Sequence, residues 1–538
     1  MIRKILVSTF IIILAFSFTA NCQLFNDDVY KFSKVVSFID SYYVDSVQKD
    51  KLVEKAIIAM LKELDPHSVY ISKEDVEKMN EPLQGSFEGV GIQFNIMNDT
   101  LLVVSPISGG PSEKVGILAG DRIVRIDTQM VAGIGLTNEM VFDKLRGKKG
   151  TKVILEIVRR GEKEILDFEV IRDKIPIFSL DAAYVVDKKQ KVGYIKLNRF
   201  AATTMKEYEE AIDKLKSNGV ENLILDLTDN GGGYLNMAQE LADEFLKQGQ
   251  LIVYTEGLHN PKNDLLATKT GNSEVGKVVI MIDEGSASAS EIVSGAIQDW
   301  DRGVIVGRRS FGKGLVQRPI NLPDQSMMRL TIARYYTPTG RLIQKSYENG
   351  TKDYHKDLIN RYNNGELSNE DSIHFPDSLQ YKTLLNKRIV YGGGGIMPDI
   401  FVPIDTTTYS DYYRDLIRKG IINRYILKYM DVHRTELEKQ YKVDKKNHDF
   451  DAFVNDYKIT DEFLSNLIEY AKEQKLEFNE EEYNKSLEHL KINLKALIAR
   501  DVWSTSEFFQ IVNEVDPIYN QAVKVMLNDE LYQSKLLP

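Results

Sequence analysis

The chain has 538 residues, 28% of them charged and 43% apolar, with a net charge of −10. That length supports several domains with ample cores, and the acidic balance leaves no basic surface for nucleic acid or an anionic membrane. One cysteine, Cys22, leaves disulfide frameworks and thiol catalysis little to work with.

Arg3 and Lys4 precede an apolar run over residues 5–20. It is short for a spanning helix and suits a signal peptide. Two processing outcomes stay open. TANC is a loose lipoprotein box that would leave Cys22 lipidated, and Ala20-Asn21-Cys22 is a small-x-small site that would be cut before Gln23. Either outcome places the mature chain in the periplasm or cell envelope. Over residues 27–80, VVSFIDSYYV and LVEKAIIAMLKEL have helical spacing and predict two helices. Pro66 in LDPHSVYIS breaks the pattern, and His67, with no His or Cys spaced to join it, reads as a turn residue.

Residues 85–175 carry GVGIQF, GGPSEKVGILAGDRIVRID and NEMVFDKLRGKKGT. These stretches resemble the binding loop, core and groove helix of a PDZ domain. The resemblance implies that a peptide C-terminus adds as a strand, its carboxylate held by backbone N–H groups around Gly89, Val90 and Gly91. Ile92, Phe94, Val141 and Leu145 would line the pocket. Without the resemblance, Gly89 and Gly91 need serve only a tight turn.

Next, VGYIKLNRF, TTMKEYEEAIDKLKSNG and ENLILDLT read as strand, helix and strand, a βαβ pattern with a largely parallel, buried sheet. LDLTDNGGGYL then places three glycines after a strand, where backbone N–H groups can be exposed at close approach. VVIMI reads as a buried strand, GSAS as a turn, and SEIVSGAIQDW as a helix with Ile292, Ala296, Ile297 and Trp300 at helical spacing. A Ser on such a turn suits a hydrolase nucleophile, because a helix N-terminus offers free N–H groups and a positive dipole end. The plainer reading makes Ser286, Ser288 and Ser290 helix caps. Asp299 lies three turns along that helix, ~16 Å from Ser288, and reads as structural.

Lys313 follows the apolar strand VIVG in the loop FGKG. Desolvation disfavours an ammonium, so a buried Lys can serve as a base. An ordinary Lys is neutral in only about one molecule in a thousand at neutral pH, so activation needs a fall of roughly 3 pH units, about 4 kcal/mol. Ser–Lys pairs are a recognised nucleophile-and-base arrangement. The overlapping GRRSFGKG nearly spells a phosphate-binding loop, but Gly314 lacks the hydroxyl for magnesium and LVQRPINLP does not open a helix. Beyond it, MMRLTIARYYTPTGRLIQK gives a strand and a turn, residues 347–386 read as an irregular surface insertion, and IFV ends GGGGIMPDIFVP as a strand. Residues 406–538 show long helical patterns such as DEFLSNLIEYAKEQ, with charge runs that read as solvated faces. Packing on the core, self-association and adaptor docking all remain open for them.

GSASASE followed by FGKGLVQ resembles the carboxyl-terminal processing peptidases (tail-specific proteases), a Ser–Lys family. YVD, LDPHS, DLTDNGGG, TPTGR and GGIMPDIFVP fall in that family's order over about residues 32–403. The resemblance implies Ser288 as nucleophile, Lys313 as general base, and Gln317 as the residue that positions the base. It implies one oxyanion donor at the Ala289 N–H and another at Gly232 or Gly233. Asp283 and Glu284 stand where Asn is usual, which would alter acidity near the site and leave the dyad intact. Thr228 stands where Arg is usual and Gly231 where Pro is common, which predicts a looser glycine loop. PDZ docking would gate the site.

The expected architecture is α/β and multidomain: a signal peptide (1–22), an N-terminal helical region (23–84), a PDZ domain (85–175) inserted before a βαβ-type, crotonase-like protease core (176–404), and a helical C-terminal extension (405–538). The expected function is a serine endopeptidase of the cell envelope that captures protein or peptide substrates by free apolar C-termini and cleaves near them. No metal or organic cofactor is implied, since there is no H-E-x-x-H and no Cys pair. The alternatives are a PDZ-type peptide-binding scaffold with an inactive or partner-gated protease domain, and a structural envelope protein working through its C-terminal helices.

Overall fold

The structure is a computed structural model describing residues 27–268, 275–443 and 449–538; the expected signal peptide and Cys22 lie outside the described residues. The chain divides into two compact units, residues 1–73 with 318–331, and residues 74–317 with 332–538.

In the first unit the two predicted helices form as Asp27–Tyr42 and Lys49–Lys62. The LDPHS break is an Asx-type turn. The Asp65 carboxylate accepts the N–H groups of His67 and Ser68 at 2.8 and 2.9 Å and the Ser68 hydroxyl at 2.6 Å. His67 is thus a turn residue. Strand Val69–Ile71 then pairs antiparallel with residues 327–329.

The second unit contains the PDZ fold, the expected protease core and the C-terminal helices. The PDZ sheet runs in the order Ile92–Met97, Thr100–Pro106, Arg122–Ile126, Lys152–Val158, Leu166–Ile171. Alternate residues Val153, Leu155 and Ile157 face a core shared with Val141 and Leu145 of helix Asn138–Leu145, the period-2 and period-3.6 patterns meeting on one face.

The protease core is a six-stranded sheet in the order Leu180–Asp187, Val192–Leu197, Asn222–Asp226, Val278–Ile282, Val304–Gly307, Ile400–Phe401. The first pair is antiparallel and the rest are parallel. Val278–Ile282 and Val304–Gly307 are buried throughout, as continuous apolar runs must be in a sheet covered on both faces. Helices Thr204–Ser217, Leu235–Asp243 and Ala289–Asp299 cover one face. The other face is covered by Pro517–Leu527 and Asp529–Ser534, whose Ile518, Val525, Met526 and Tyr532 pack with Tyr194, Ile224, Val279 and Met281. The last two helices of the extension therefore complete the protease core. The helices before them share a core of their own, and one, Ile421–Gln440, reaches the PDZ domain. There Asp431 pairs with Arg122 at 2.9 Å, and its carbonyl accepts from Arg160 at 2.6 Å.

Residues 347–386 depart from the irregular surface chain expected of them. They hold helix Thr351–Asn363, with Tyr354 and Arg361 buried, and strand Gln380–Lys382, paired with Ile389–Tyr391. The helix escapes a hydropathy reading because its inward face carries a phenol and charges in place of an apolar stripe. No helix among the described residues is long and apolar enough to cross a membrane.

Candidate active site

Strand Val278–Ile282 ends at Asp283, whose Oδ1 accepts the N–H groups of Asp229, Gly285 and Ser286 at 2.8, 3.0 and 3.2 Å. Asp283 makes the tight turn itself. Burial holds its carboxyl above the usual carboxylate range, with the Asp229 N–H bond opposing part of the rise. Glu284 pairs outward with Arg308 at 2.6 Å. The three serines then separate by role. Ser286 donates its hydroxyl to the Leu227 carbonyl and Ser290 to the Asn230 carbonyl, each at 2.8 Å, and both are fully buried. Ser288 alone of the three is only half-buried. It caps helix Ala289–Asp299 with φ +56° and ψ −109°, a strained conformation of the kind that collects at functional turns.

One buried side chain organises what surrounds Ser288. Glu291, fully buried, accepts the Ser288 N–H at 2.7 Å and the Lys313 N–H at 2.9 Å on one oxygen. Its other oxygen accepts the Ser310 hydroxyl at 2.6 Å and the Gly312 N–H at 2.7 Å. Burial raises the Glu291 carboxyl, and these four donors oppose it by favouring the ionised form. From the other side, the buried Tyr335 hydroxyl reaches the carbonyls of both Ser288, at 3.1 Å, and Lys313. Burial and the Glu291 charge hold this phenol well above its usual value, so it stays a donor. Lys313 directs its amine to the Gln317 carbonyl oxygen at 3.3 Å. Strand Leu315–Asn321 follows directly, so the loop does not open the helix that phosphate binding requires.

The glycine loop lies against the turn that carries Ser288. A Cβ on Gly232 would stand 2.7 Å from the Ala287 carbonyl oxygen, 2.8 Å from the Ser288 Cβ and 2.9 Å from the Ala289 nitrogen. The Gly232 N–H donates to the Asn230 side chain at 2.9 Å, and its carbonyl accepts from Phe200 at 3.0 Å. Because a trans peptide points its C=O and N–H oppositely, the Gly233 N–H turns away from Phe200. Asn230, fully buried, also gives its own carbonyl to the Ala287 N–H at 2.9 Å. Thr228, in the expected Arg position, donates N–H and hydroxyl to Asp226, each at 2.7 Å, while Lys196 reaches Asp226 at 3.0 Å and the Thr228 hydroxyl at 2.8 Å. Asp299 is structural: fully buried, it pairs with Arg341 and accepts the N–H and hydroxyl of Thr339.

In the PDZ domain, Val90, Ile92, Val141 and Leu145 are buried in the core, so they form a floor, while Phe94 is half-buried and meets the exposed Phe142 edge-on at 5.5 Å. Ile92–Met97 is an edge strand, open to addition of another. Gly89 bridges Arg146, and Gly91, at φ +78°, could carry a Cβ only 2.9 Å from Ile175. Among the described residues no cluster of His, Cys, Asp and Glu could hold a metal.

Sequence reading missed Glu291, Asn230 and Tyr335. Glu291 had a signal, since a Glu three residues after a helix-capping Ser is a capping-box pattern. Asn230 had one too, since it lies within DLTDNGGG two residues before Gly232; Tyr335 had none, because its partners Ser288 and Lys313 are distant in sequence.

The match to a carboxy-terminal-processing protease of Bartonella bacilliformis is 38% identical over 362 residues, 64% of this chain and 81% of that one. The chain belongs to the carboxy-terminal-processing proteases. The model of peptidase family S41 matches residues 191–354, that of the PDZ domain residues 89–170, and that of the activating protease CtpB N-terminal domain residues 17–75. A family of unknown function matches residues 412–504. The carboxy-terminal processing protease CtpB of Bacillus subtilis is 34% identical over 316 residues, 59% of this chain and 65% of that one. Among solved structures, the photosystem II D1 C-terminal processing protease is 28% identical, covering 58% of this chain and 89% of that one, with a TM-score of 0.34. As a carboxy-terminal-processing protease, the chain is a serine-type peptidase with a PDZ domain.

Proposed function

We propose that this peptidase cleaves proteins near their C-termini, with Ser288 as nucleophile and Lys313 as general base. The observation that carries the reading is the single Glu291 oxygen that holds the backbones of both residues. Ser288 Oγ attacks the scissile carbonyl and its proton passes to the neutral Lys313 amine. Gln317, bonded to that amine, fixes its direction. The oxyanion is held by the Ala289 N–H, at the first helical position where no intrahelical acceptor exists, and by the Gly233 N–H. Gly233 is preferred over Gly232 because the Gly232 N–H is committed to Asn230. The protonated Lys313 then gives its proton to the leaving amine, and water hydrolyses the acyl-Ser288 by the same route.

The PDZ edge strand Ile92–Met97 takes the substrate tail, with Phe94 and Phe142 contacting its apolar side chains and the turn at Gly89, Val90 and Gly91 facing its carboxylate. The sequence of residues 1–22 supports export to the cell envelope, with Cys22 lipidated or removed. Labelling with a serine-directed fluorophosphonate tests the dyad. The expected result is one adduct at Ser288, absent in Ser288→Ala and slowed at least about 10²-fold in Lys313→Ala. Equal labelling of the native and Lys313→Ala proteins would remove Lys313 as base.

A further inference from the structure

We propose that helix Thr351–Asn363 of the insertion is part of the catalytic apparatus, with Arg361 as a positioning residue for the loop that carries Lys313. The proposal rests on the reading of Ser288 and Lys313 as nucleophile and base.

Arg361 is 4% exposed. It donates to the Arg309 carbonyl at 2.7 Å and to the Ser310 carbonyl at 3.2 Å. Its Nε–H meets Glu366 at 2.8 Å, and Glu366 also grips Arg309 at 2.6 and 2.8 Å. Residues 309–313 are therefore held at both ends. Carbonyls at the start face the guanidinium, and amides at the end face Glu291, which also takes the Ser310 hydroxyl at 2.6 Å.

Two more residues of the same helix act on the same loop. Asp357 pairs with Lys345 at 3.1 Å, and the Lys345 amine lies 3.8 Å from the centre of the Phe311 ring. The Lys345 N–H donates to the Gly312 carbonyl at 3.0 Å. Tyr354 meets Phe311 edge-on at 6.0 Å. Tyr354, Asp357 and Arg361 fall on one helix face by their spacing.

A helix that merely decorated the surface would turn charge outward. This one buries a guanidinium, which is tolerated only with full hydrogen bonding and pairing. An arginine suits the place because its planar fork serves two carbonyls and a carboxylate together, and a lysine ammonium has no such geometry.

The test uses the full chain with Arg361→Gln, Arg361→Lys and Glu366→Gln, each counted by fluorophosphonate titration so that rates refer to competent molecules. kcat and KM for peptide cleavage are measured across pH. The expected result for Arg361→Gln is a kcat reduced about tenfold with KM little changed. Its acidic limb should move to higher pH, because a loosened loop wets Lys313 and returns its amine toward the ordinary value. Glu366→Gln should move the limb the same way by less, and Arg361→Lys should recover part of the rate. Native kcat and an unmoved limb in Arg361→Gln and Glu366→Gln, with only a lowered Tm, would overturn the proposal. So would an Arg361→Gln chain that fails to fold beside a Glu366→Gln chain with an unmoved limb. Cleavage by Ser288→Ala at the native rate would instead overturn the reading beneath it.

Discussion

The Lys313 backbone N–H donates to Glu291 at 2.9 Å, on the same carboxylate oxygen that takes the Ser288 N–H at 2.7 Å. The proposed nucleophile on a helix cap and the proposed base on a loop after the next strand are thereby fixed to one buried atom. Productive geometry in such a pair tolerates little displacement, since small misplacements cost large factors in rate.

Glu291→Gln keeps the shape and removes this arrangement. Turned one way, its NH₂ faces the N–H groups of Ser288 and Lys313; turned the other, it faces the Gly312 N–H and the Ser310 hydroxyl, of which only the hydroxyl can turn to accept. Each buried donor left unpaired costs ~1–3 kcal/mol. The expected outcome is a kcat at least about 10²-fold lower, with a lower Tm. Steady-state kinetics with calorimetry on the same samples checks both.

Gly232→Ala should be folded and nearly inactive. Its methyl would press on the Ser288 Cβ at 2.8 Å and the Ala289 nitrogen at 2.9 Å, from a residue at φ +94°. That would displace the donor pair proposed to hold the oxyanion, where losing one donor costs ~10²–10³ in rate. Circular dichroism near native, with kcat down by that factor, is the expected combination.

Lys196 and Asp226 form a buried pair at 3.0 Å beneath the glycine loop. Burial works to lower the Lys196 amine, and the charge and hydrogen bond of Asp226 override it and raise it above 10.5. The pair's contribution is therefore present in full below pH 10.5 and is lost as pH rises through the raised value. Lys196→Met should destabilise by about 3–5 kcal/mol at neutral pH, because it strands a buried carboxylate. The difference from native should shrink in strongly alkaline buffer, as denaturant titrations at both pH values would reveal.

Met526 is fully buried against the far face of the protease sheet. Met526→Ala should lower stability by ~2–5 kcal/mol, as large-to-small changes in packed cores do. A fully native urea midpoint would show the C-terminal helices to be dispensable for the core.

Much of this was legible in the chain. The apolar runs VVIMI and VIVG announced buried parallel strands, and GSAS announced a strand-to-helix turn at Ser288, because each signal lies within a dozen residues. The insertion helix Thr351–Asn363 was not legible, since Arg361 finds its partners at Arg309 and Ser310 across the fold. The PDZ positions follow from the sequence pattern, while their depth below the surface does not. Val141 and Leu145 lie in the core, while Phe142 between them is exposed and Phe94 on the edge strand is half-buried. Spacing identifies a helix face and does not tell how far below the surface it lies.

The central claim is tail-dependent cleavage by Ser288. Native and Ser288→Ala proteins are each mixed with an unfolded substrate ending in a free apolar C-terminus and with the same substrate amidated, and mass spectrometry locates the cuts. The account predicts cuts by the native protein alone, near the C-terminus, and faster with the free terminus. Equal cutting by Ser288→Ala, or cuts indifferent to amidation and scattered along the chain, would contradict it.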